Sequence, residues 1–255
     1  MTVPTLSLAY RPEIFTKFPH LIAAQSLRHG GVSPAPFTSL NLGLSSGDER
    51  KNVLENRNRF FNNLGFQPED IALSYQVHDD KVLVATQPGN YEGYDAIVTN
   101  SPGVFVGVSI ADCTPILIYD SSSNAVAAIH AGWKGTMKQI VSKTLQTMTQ
   151  HFGTNPVNCF AYIGTCISEC AFEVDADVAD YFTSDYKRWD SEKNKFFVDL
   201  KQANFSQLLK AGIPKEQVEV SPFCTVEHND NYFSYRKEGK KSGRMFVVIG
   251  QRTNR

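Results

Sequence analysis

Three residues with metal-binding or nucleophilic side chains each stand at the end of an apolar run: His78 in QVHDD, Cys113 in IADCTP and His130 in AIHAGW. The end of a strand is where a sheet presents side chains to a crevice. One thiolate and two imidazoles are a natural ligand set for zinc, with a fourth position left for water or substrate. Their sequence separations are unlike those of zinc fingers, so ordinary strand-end histidines and a buried cysteine stay an open interpretation.

The same residues also allow a reaction that needs no metal. Cys113 can act as a nucleophile and His130 as its base, with His78 or Asp112 as the group that orients the base. In a metal site, Asp112 can instead accept a hydrogen bond from a ligating imidazole, or it can fix the turn that leads into Pro115.

The residues that follow His130 indicate a tight turn between a strand and a helix. Gly132 and Gly135 let the chain bend sharply there, which keeps the strand end open to substrate. Trp133 lies between these glycines and either walls the site or packs over the start of the helix.

Two stretches combine arginine with glycine in a way that suits an anion. In SLRHGGVS, Arg28 can grip the anion while Gly30 and Gly31 bring backbone amides close to it. In YFSYRKEGKKSGR, Arg236 is a second candidate, with Arg244 nearby. A solvated surface turn and a solvated basic hairpin are the alternatives.

A further pair of cysteines, Cys166 and Cys170, occurs in GTCISECAFEV together with Glu173. A Cys-x3-Cys pair can bind a metal only with a third or fourth ligand close by. No such ligand follows within the stretch, so we interpret both cysteines as packing thiols.

Apolar β-type runs and helical periodicity predict the elements that position these residues. Four apolar β-type runs predict strands at 95–99, 104–110, 115–120 and 125–131. The last three are nearly continuous in hydrophobicity, so we expect these to be central and covered on both faces. Apolar spacing predicts three helices. The first begins after an N-cap at Asp48 and ends at Gly65, and the second spans 137–152. The third begins at its cap, Asp199, and runs to about residue 211. Later strands are predicted at 159–164, 218–224 and 245–250. This mixed order predicts the α/β class, with mixed α+β layers in one domain, 1–255.

Composition excludes several classes of function. The chain has 255 residues and a net charge of -1, so a basic face for nucleic acid is not expected. It has neither an apolar run long enough for a membrane span nor the pattern of a signal peptide. Five cysteines are an odd number in a long chain, which argues against a disulfide framework. We therefore expect a cytoplasmic protein with free thiols.

The motifs together resemble one known family. RHGGVS, LNLG, QVH, DAIVT, ADCTPILIYD, IHAGWKGT, FCT and FSYRKEG occur in this order between residues 26 and 249. This ordered set resembles the YfiH family, whose members are also labelled laccase-domain or multicopper polyphenol oxidase proteins. The resemblance implies central mixed β-sheets flanked by helices, similar to the deamidase domain of the cytotoxic necrotizing factors.

The resemblance also implies a zinc-dependent purine nucleoside enzyme. One zinc per chain would be held by the catalytic residues His78, Cys113 and His130. The expected reactions are phosphorolysis of adenosine, inosine and methylthioadenosine to the base plus ribose 1-phosphate, and deamination of adenosine to inosine. The expected ligands are therefore a nucleoside and phosphate, and the oligomeric state stays open. Our candidates for contacts with these ligands are Arg28, Gly30, Gly31, Asn41, Asp112, Glu173 and Arg236.

The sequence departs from the family pattern at two positions. Asp79 follows QVH where the family usually has glycine, and Thr165 follows IG where it usually has proline. Neither position is a predicted ligand. Asp79 adds a negative charge beside the predicted metal site, which can change the substrate preference.

These residues bear on three mechanisms: a zinc-dependent nucleoside enzyme, a cysteine amidase and a laccase. The His-x-Glu signature of nucleobase deaminases is absent after His130, so Glu173 or Asp112 would have to carry the proton in deamination. The alternative is a cysteine amidase that uses Cys113 and His130 on a cell-wall precursor. Laccase chemistry needs more imidazoles than six histidines without a His-x-His pair supply, so copper is expected only as an adventitious ion.

Overall fold

The computed structural model describes residues 7–253. The strands are β1 Ala9–Tyr10, β2 Leu21–Ser26, β3 Ile71–Tyr75, β4 Val82–Val84, β5 Gly89–Glu92, β6 Ala96–Thr99, β7 Phe105–Ile110, β8 Thr114–Asp120, β9 Val126–Ala131, β10 Cys159–Ile163, β11 Glu173–Val174, β12 Lys187–Asp190, β13 Lys195–Val198, β14 Val218–Val220 and β15 Met245–Gln251. The helices are α1 Arg50–Leu64, α2 Trp133–Met137, α3 Ile140–Phe152, α4 Ala176–Ala179, α5 Leu200–Lys210 and α6 Tyr235–Glu238.

The strands form two large mixed sheets and a small antiparallel one. The first sheet has the order β1-β2-β15-β7-β3-β5, and the second has the order β14-β10-β8-β9-β6-β4. The small sheet has the order β11-β13-β12. In each large sheet, antiparallel pairs occupy the centre. The parallel pairs are β3 with β5 and β7 in the first sheet, and β4 with β6 and β10 with β14 in the second.

The main core lies between the two large sheets. On β8, the buried Leu117 and Tyr119 belong to this core, whereas Ile116 and Ile118 belong to the core on the opposite face, with helix α3. Burial of each such side chain stabilises the fold by about 1.5–3 kcal/mol. The prediction of central strands covered on both faces is confirmed, because successive residues of a strand point to opposite faces.

Helix α1 covers the outer face of the first sheet through Phe60, Phe61 and Leu64. Gly65 ends this helix in a left-handed conformation, as predicted. The predicted N-cap is wrong. The cap position belongs to Glu49, because the Asp48 carboxylate accepts hydrogen bonds from the Ser33 hydroxyl and the Glu49 amide.

Two further predictions need correction. The helix predicted over 137–152 is divided into α2 and α3 at Gln139, whose φ is 65°. The Thr136 carbonyl accepts the Gln139 amide at 3.1 Å, which closes a tight turn there, and it also accepts the Gln207 side chain at 2.9 Å. The strand predicted over 218–224 stops at Val220, since Pro222 has no N–H to donate to a neighbour.

The remaining predictions agree with the structure. Asp199 caps α5 by accepting a hydrogen bond from the Gln202 amide at 2.9 Å. The mixed order of sheets and helices confirms the α/β class with mixed α+β layers. Within residues 7–253, every helix is too short or too polar to cross a bilayer.

Candidate functional site

His78, Cys113 and His130 meet at one end of the second sheet. We call them the His-Cys-His cluster; one ligand atom from each residue lies within 4.8 Å of the other two. The two imidazole rings are 4.7 Å apart and nearly perpendicular. His130 is buried in β9, Cys113 is half-buried before β8, and His78 is exposed in the loop after β3. The cluster therefore runs from the protein interior to an open face.

Asp95, a buried residue just before β6, organises the cluster, and the sequence analysis did not single it out. Its carboxylate lies 2.7 Å from Nδ1 of His130 and accepts the backbone amides of His78 at 3.0 Å and Asp79 at 2.8 Å. Since Nδ1 of His130 is engaged, Nε2 is the nitrogen left for a ligand. A carboxylate behind a ligating histidine is the usual support of a metal site. The signal was present in DAIVT, which begins with this acid.

The charges of the cluster reinforce one another. Burial alone would raise the pKa of the Cys113 thiol, but His130 and then His78 lower that pKa overall. Burial alone would lower the pKa of His130, but the Cys113 sulfur and the Asp95 carboxylate raise it. The cluster therefore favours a thiolate, which is the form of cysteine that binds metals and attacks carbonyl groups.

Gly132 leaves the space that the cluster occupies. A Cβ atom at this position would lie 3.2 Å from Sγ of Cys113 and 3.3 Å from the His78 ring. Its φ of -68° is open to any residue, so the need for glycine here is steric. Gly135 has a similar role, because a Cβ there would lie 3.0 Å from the Asp79 carbonyl. The predicted tight turn thus places small residues against the site.

Asp112 fixes loops around the cluster. It adopts a left-handed conformation with a φ of 91°. Its carboxylate accepts the Thr225 hydroxyl and the Arg236 amide, both at 2.6 Å. Its backbone carbonyl accepts the Ile167 amide at 2.9 Å. Of the two roles left open by the sequence, this geometry supports loop fixing, and Asp95 occupies the position behind the imidazole.

A cavity of about 840 Å³ opens in front of the cluster. Its lining is completed by Gly43, Leu44, Ser45, Arg50, Arg57, Leu73, Ser74, Tyr75, Gln76, Asn90, Tyr91, Glu92, Ser109, Ala111, Asp112, Trp133, Ile167, Phe172, Leu200, Tyr235, Arg236, Arg244 and Phe246. Trp133 lines the cavity, in agreement with the first sequence interpretation, and its ring lies 5.9 Å from the Tyr181 ring. A cavity of this size, lined by several aromatic rings together with many polar and charged side chains, suits a small polar organic ligand.

Three of the lining arginines, Arg50, Arg57 and Arg244, form what we call the arginine cluster. Arg57 comes from α1, where its Nε donates to the Leu42 carbonyl at 2.9 Å and its guanidinium lies over the Phe246 ring. Burial, and then the charge of Arg50, lower the pKa of Arg57 to about 10. Burial lowers the pKa of Arg244 as well. An anion between these groups would offset this unfavourable positive charge.

Arg28, the first candidate for gripping an anion, does not line the cavity. Its three side-chain nitrogens donate to the Thr38 carbonyl, the Asn229 carbonyl and the Glu238 carboxylate at 3.2, 2.6 and 3.0 Å. Gly30 and Gly31 also lie outside the cavity. A Cβ atom at Gly31 would lie only 2.1 Å from the backbone oxygen of Ser39. The geometry therefore supports a role for this motif in holding loops together.

The other predicted contact residues are divided. Asn41 is buried beneath the cavity, and its Oδ1 accepts the amides of Gly43 at 3.1 Å and Arg244 at 2.9 Å. Arg236 lines the cavity and donates to the carbonyls of Ala171 and Glu173, both at 3.1 Å. The Glu173 side chain is exposed and lies outside the lining, so the structure does not bring it to the cluster.

The two departures from the family pattern are both accommodated locally. The Asp79 carboxylate pairs with Lys138, so its negative charge beside the cluster is balanced. The buried Thr165 hydroxyl lies 2.7 Å from the Ser221 hydroxyl, and the Thr165 amide donates to the Gln25 side chain. Neither residue lines the cavity.

Comparison with known proteins identifies one family and several relatives that are similar in sequence. The family described as multi-copper polyphenol oxidoreductase laccase matches residues 22–252. A purine nucleoside phosphorylase of Bacteroides thetaiotaomicron is 38% identical over 238 residues, which cover 87% of this chain and 88% of that protein. A purine nucleoside phosphorylase of Deinococcus radiodurans is 38% identical over 252 residues, which cover 98% and 95%.

A solved structure has the same fold. The crystal structure of a hypothetical protein YfiH from Bacillus licheniformis matches with a TM-score of 0.91 and 29% sequence identity, and the match covers 97% of each chain. These similarities extend over nearly the whole chain, as do the motifs noted in its sequence.

Proposed function

The chain belongs to the family described as multi-copper polyphenol oxidoreductase laccase, which includes the YfiH proteins, and we propose that it works as a purine nucleoside phosphorylase. Relatives at 38% identity carry that name. The observation that supports the proposal best is a single cavity lined by the His-Cys-His cluster and the arginine cluster. Its volume of about 840 Å³ is enough for a nucleoside and a phosphate together.

Phosphate would bind at the arginine cluster. Arg57 donates through Nε to Leu42, and the hydrogen bonds of the described residues leave its two Nη groups for a ligand. Arg244 is held in place by Asn41 and by its own contacts with the Ser242 and Gly243 carbonyls. Arginine suits the planar, two-pronged recognition of a phosphate dianion. This assignment replaces Arg28, whose nitrogens are engaged elsewhere.

The His-Cys-His cluster would hold one zinc ion. Two imidazoles and a thiolate fit zinc better than magnesium or calcium, which prefer oxygen ligands. When bound, zinc supplies a Lewis acid at this end of the cavity. Asp95 fixes the orientation of His130, and Gly132 keeps the approach to the cluster open. One cluster of this kind cannot supply the several copper sites of a laccase, so copper would bind only adventitiously.

The reaction would join phosphate to the ribose and release the base. A phosphate oxygen forms a bond to C1′ while the bond from C1′ to N9 of the purine breaks. The bonding electron pair leaves with the base, which takes up a proton, and the sugar becomes ribose 1-phosphate. The arginine cluster would orient the phosphate for this attack. Tyr75, Tyr91 and Tyr235 in the lining offer aromatic faces to the purine.

Adenosine deamination is the second reaction that we assign to this cavity. It needs a group that moves a proton near C6 of the purine, and the carboxylates in the described lining are Glu92 and Asp112. Both oxygens of Asp112 already accept short hydrogen bonds, and Glu173 lies outside the cavity. We therefore assign this proton transfer to Glu92. Glu92→Gln should remove deamination and leave phosphorolysis intact, which assays of inosine and adenine from adenosine would separate.

A panel of nucleosides tests the main proposal. Adenosine, inosine and methylthioadenosine are incubated with and without phosphate, and the products are identified by mass spectrometry. Free base and a ribose 1-phosphate should form only with phosphate. If all three nucleosides stay intact while the His-Cys-His cluster is fully loaded with zinc, the proposal is wrong.

A cysteine amidase is a second candidate, because Cys113, His130 and the Asp95 carboxylate also form a nucleophile, a base and an orienting acid. Its substrate would be an amide of a cell-wall precursor. Removal of the metal separates the candidates: full activity on an amide after chelation supports the amidase. Loss of nucleoside turnover on chelation, with recovery on adding zinc, supports the phosphorylase.

A further inference from the structure

A second group of metal-ligating side chains lies outside the cavity. One ligand atom from each of Cys170, Cys224 and Glu227 lies within 4.8 Å of the other two. Cys224 is buried, whereas Cys170 and Glu227 are exposed. The cluster therefore combines two sulfurs and a carboxylate at the protein surface.

This cluster supplies the ligands that the Cys-x3-Cys stretch lacks in the sequence. Cys166 is buried, and its sulfur accepts the Thr114 hydroxyl at 3.4 Å, so its interpretation as a packing thiol agrees with the structure. Cys170 is exposed, so the same interpretation is wrong for this residue. It faces Cys224 and Glu227, which lie far along the chain.

The backbone holds the two contributing segments together. Cys166 and Cys224 form a parallel bridge, and the Thr225 amide donates to the Cys166 carbonyl at 3.0 Å. The Ser168 amide donates to Sγ of Cys224 at 3.3 Å. Such N–H donors to sulfur support thiolates in metal sites. The ligands are therefore preorganised by contacts that do not depend on an ion.

We propose that Cys170, Cys224 and Glu227 form a second zinc site, distinct from the His-Cys-His cluster. Two thiolates with one carboxylate suit zinc. Magnesium and calcium are hard cations that prefer oxygen ligands, so the soft thiolates disfavour them. The exposed side of Cys170 and Glu227 leaves a fourth position for water. This site is not part of the cavity lining, so its role would be structural.

A bound ion would tie together two walls of the cavity. The segment after Cys170 carries Ala171, whose carbonyl accepts Arg236. The segment after Cys224 carries Thr225, whose hydroxyl donates to Asp112. Zinc at this position would therefore fix the position of Arg236 relative to the loop of Asp112. This role predicts a lower melting temperature when the site is destroyed.

Zinc content of the full-length protein tests the inference. Protein purified under reducing conditions is loaded with zinc and dialysed, and metal and protein are quantified together. The wild-type chain should hold two ions, Cys170→Ser should hold one, and the loss should leave the ion bound by His78 in place. Glu169→Gln, at a half-buried acid beside Cys170 that pairs with Arg188, is the matched control and should keep both ions.

Cobalt distinguishes the two sites by their ligands. In Cys113→Ser, the remaining thiolate-to-cobalt absorption should come from Cys170 and Cys224 and should disappear in Cys113→Ser/Cys170→Ser. A wild-type chain with one ion, or two ions that persist in Cys170→Ser, would overturn the inference. The metal count does not depend on any turnover, so its failure is separate from failure of the proposed function.

Discussion

At the His-Cys-His end of the cavity, Cys113 and His130 stand at strand ends of the second sheet and His78 lies in the loop between β3 and β4, whereas the arginine end combines helix α1 with the approach to β15 of the first sheet. At the first end, a buried carboxylate, Asp95, fixes one ligand and the loop that carries another. At the second end, Arg57 and Arg244 are only half-buried and lean on Phe246 and Tyr235. A metal site needs fixed geometry, while an anion site needs chiefly positive charge, and this difference fits the roles proposed for the two ends.

Removing the support behind the cluster should produce the largest effect. In Asp95→Asn, the charge that holds His130 is lost, and metal affinity should fall by about 10–100-fold. Competition with a chelator measures the affinity. Asp120→Asn is the matched control, because this buried carboxylate accepts hydrogen bonds from Ser122 and Ser123. If both variants lose metal equally, the loss reflects general destabilisation and Asp95 has no special role.

Weakening the arginine end should produce the second-largest effect, and this effect should be on KM for phosphate and not on metal affinity. Arg57→Ala removes charge-assisted hydrogen bonds to phosphate, so KM for phosphate should rise by about tenfold or more. Zinc content should not change. Arg59→Ala, on the same helix but paired with Glu55 outside the cavity, should leave KM unchanged. A loss of zinc in Arg57→Ala would contradict the division between the two ends.

A methyl group added beside the cluster should have a smaller effect. In Gly132→Ala, the new Cβ would press on Cys113 and His78, so metal affinity should fall several-fold. The backbone at this position tolerates alanine, so thermal stability without metal should change little. Unchanged metal affinity would show that the cluster can shift, contrary to its rigid support.

The smallest effect on the reaction is expected at the motif that the sequence favoured for phosphate. Arg28→Ala removes partly buried hydrogen bonds between loops, and the free energy of unfolding should fall by about 1–3 kcal/mol. Chemical denaturation measures this loss. KM for phosphate should not change, and an increase in KM similar to that of Arg57→Ala would restore Arg28 as a phosphate ligand.

Much of the fold was predictable because its causes are local or periodic. Hydrophobic runs predicted the central strands, and Gly65 and Asp199 predicted helix ends. The division at Gln139 was not predictable, since the left-handed conformation of this residue has no signature in the sequence and the Gln207 contact beside it comes from another helix. The order of strands in each sheet depends on long-range pairing, which has no signature in a single sequence.

The site was predictable only in part, for a similar reason. Few residue types bind zinc, so His78, Cys113 and His130 could be selected by type and position. Arginine is common and its reach is long, so adjacency to glycine selected Arg28, and Arg57 was not singled out. In the sequence, Asp95 looked only like the first residue of a strand. Its role was hidden because the histidine that it supports is on a neighbouring strand, far along the chain.

The product ratio from adenosine tests the central claim that the two ends of one cavity act together. Adenine and inosine are quantified with and without phosphate for the wild-type chain, Cys113→Ser and Arg57→Ala. The account predicts adenine only with phosphate in the wild type, loss of both products in Cys113→Ser, and, at phosphate below the wild-type KM, strongly reduced adenine with retention of inosine in Arg57→Ala. Adenine formation that is independent of phosphate, or undiminished in Arg57→Ala, would contradict it.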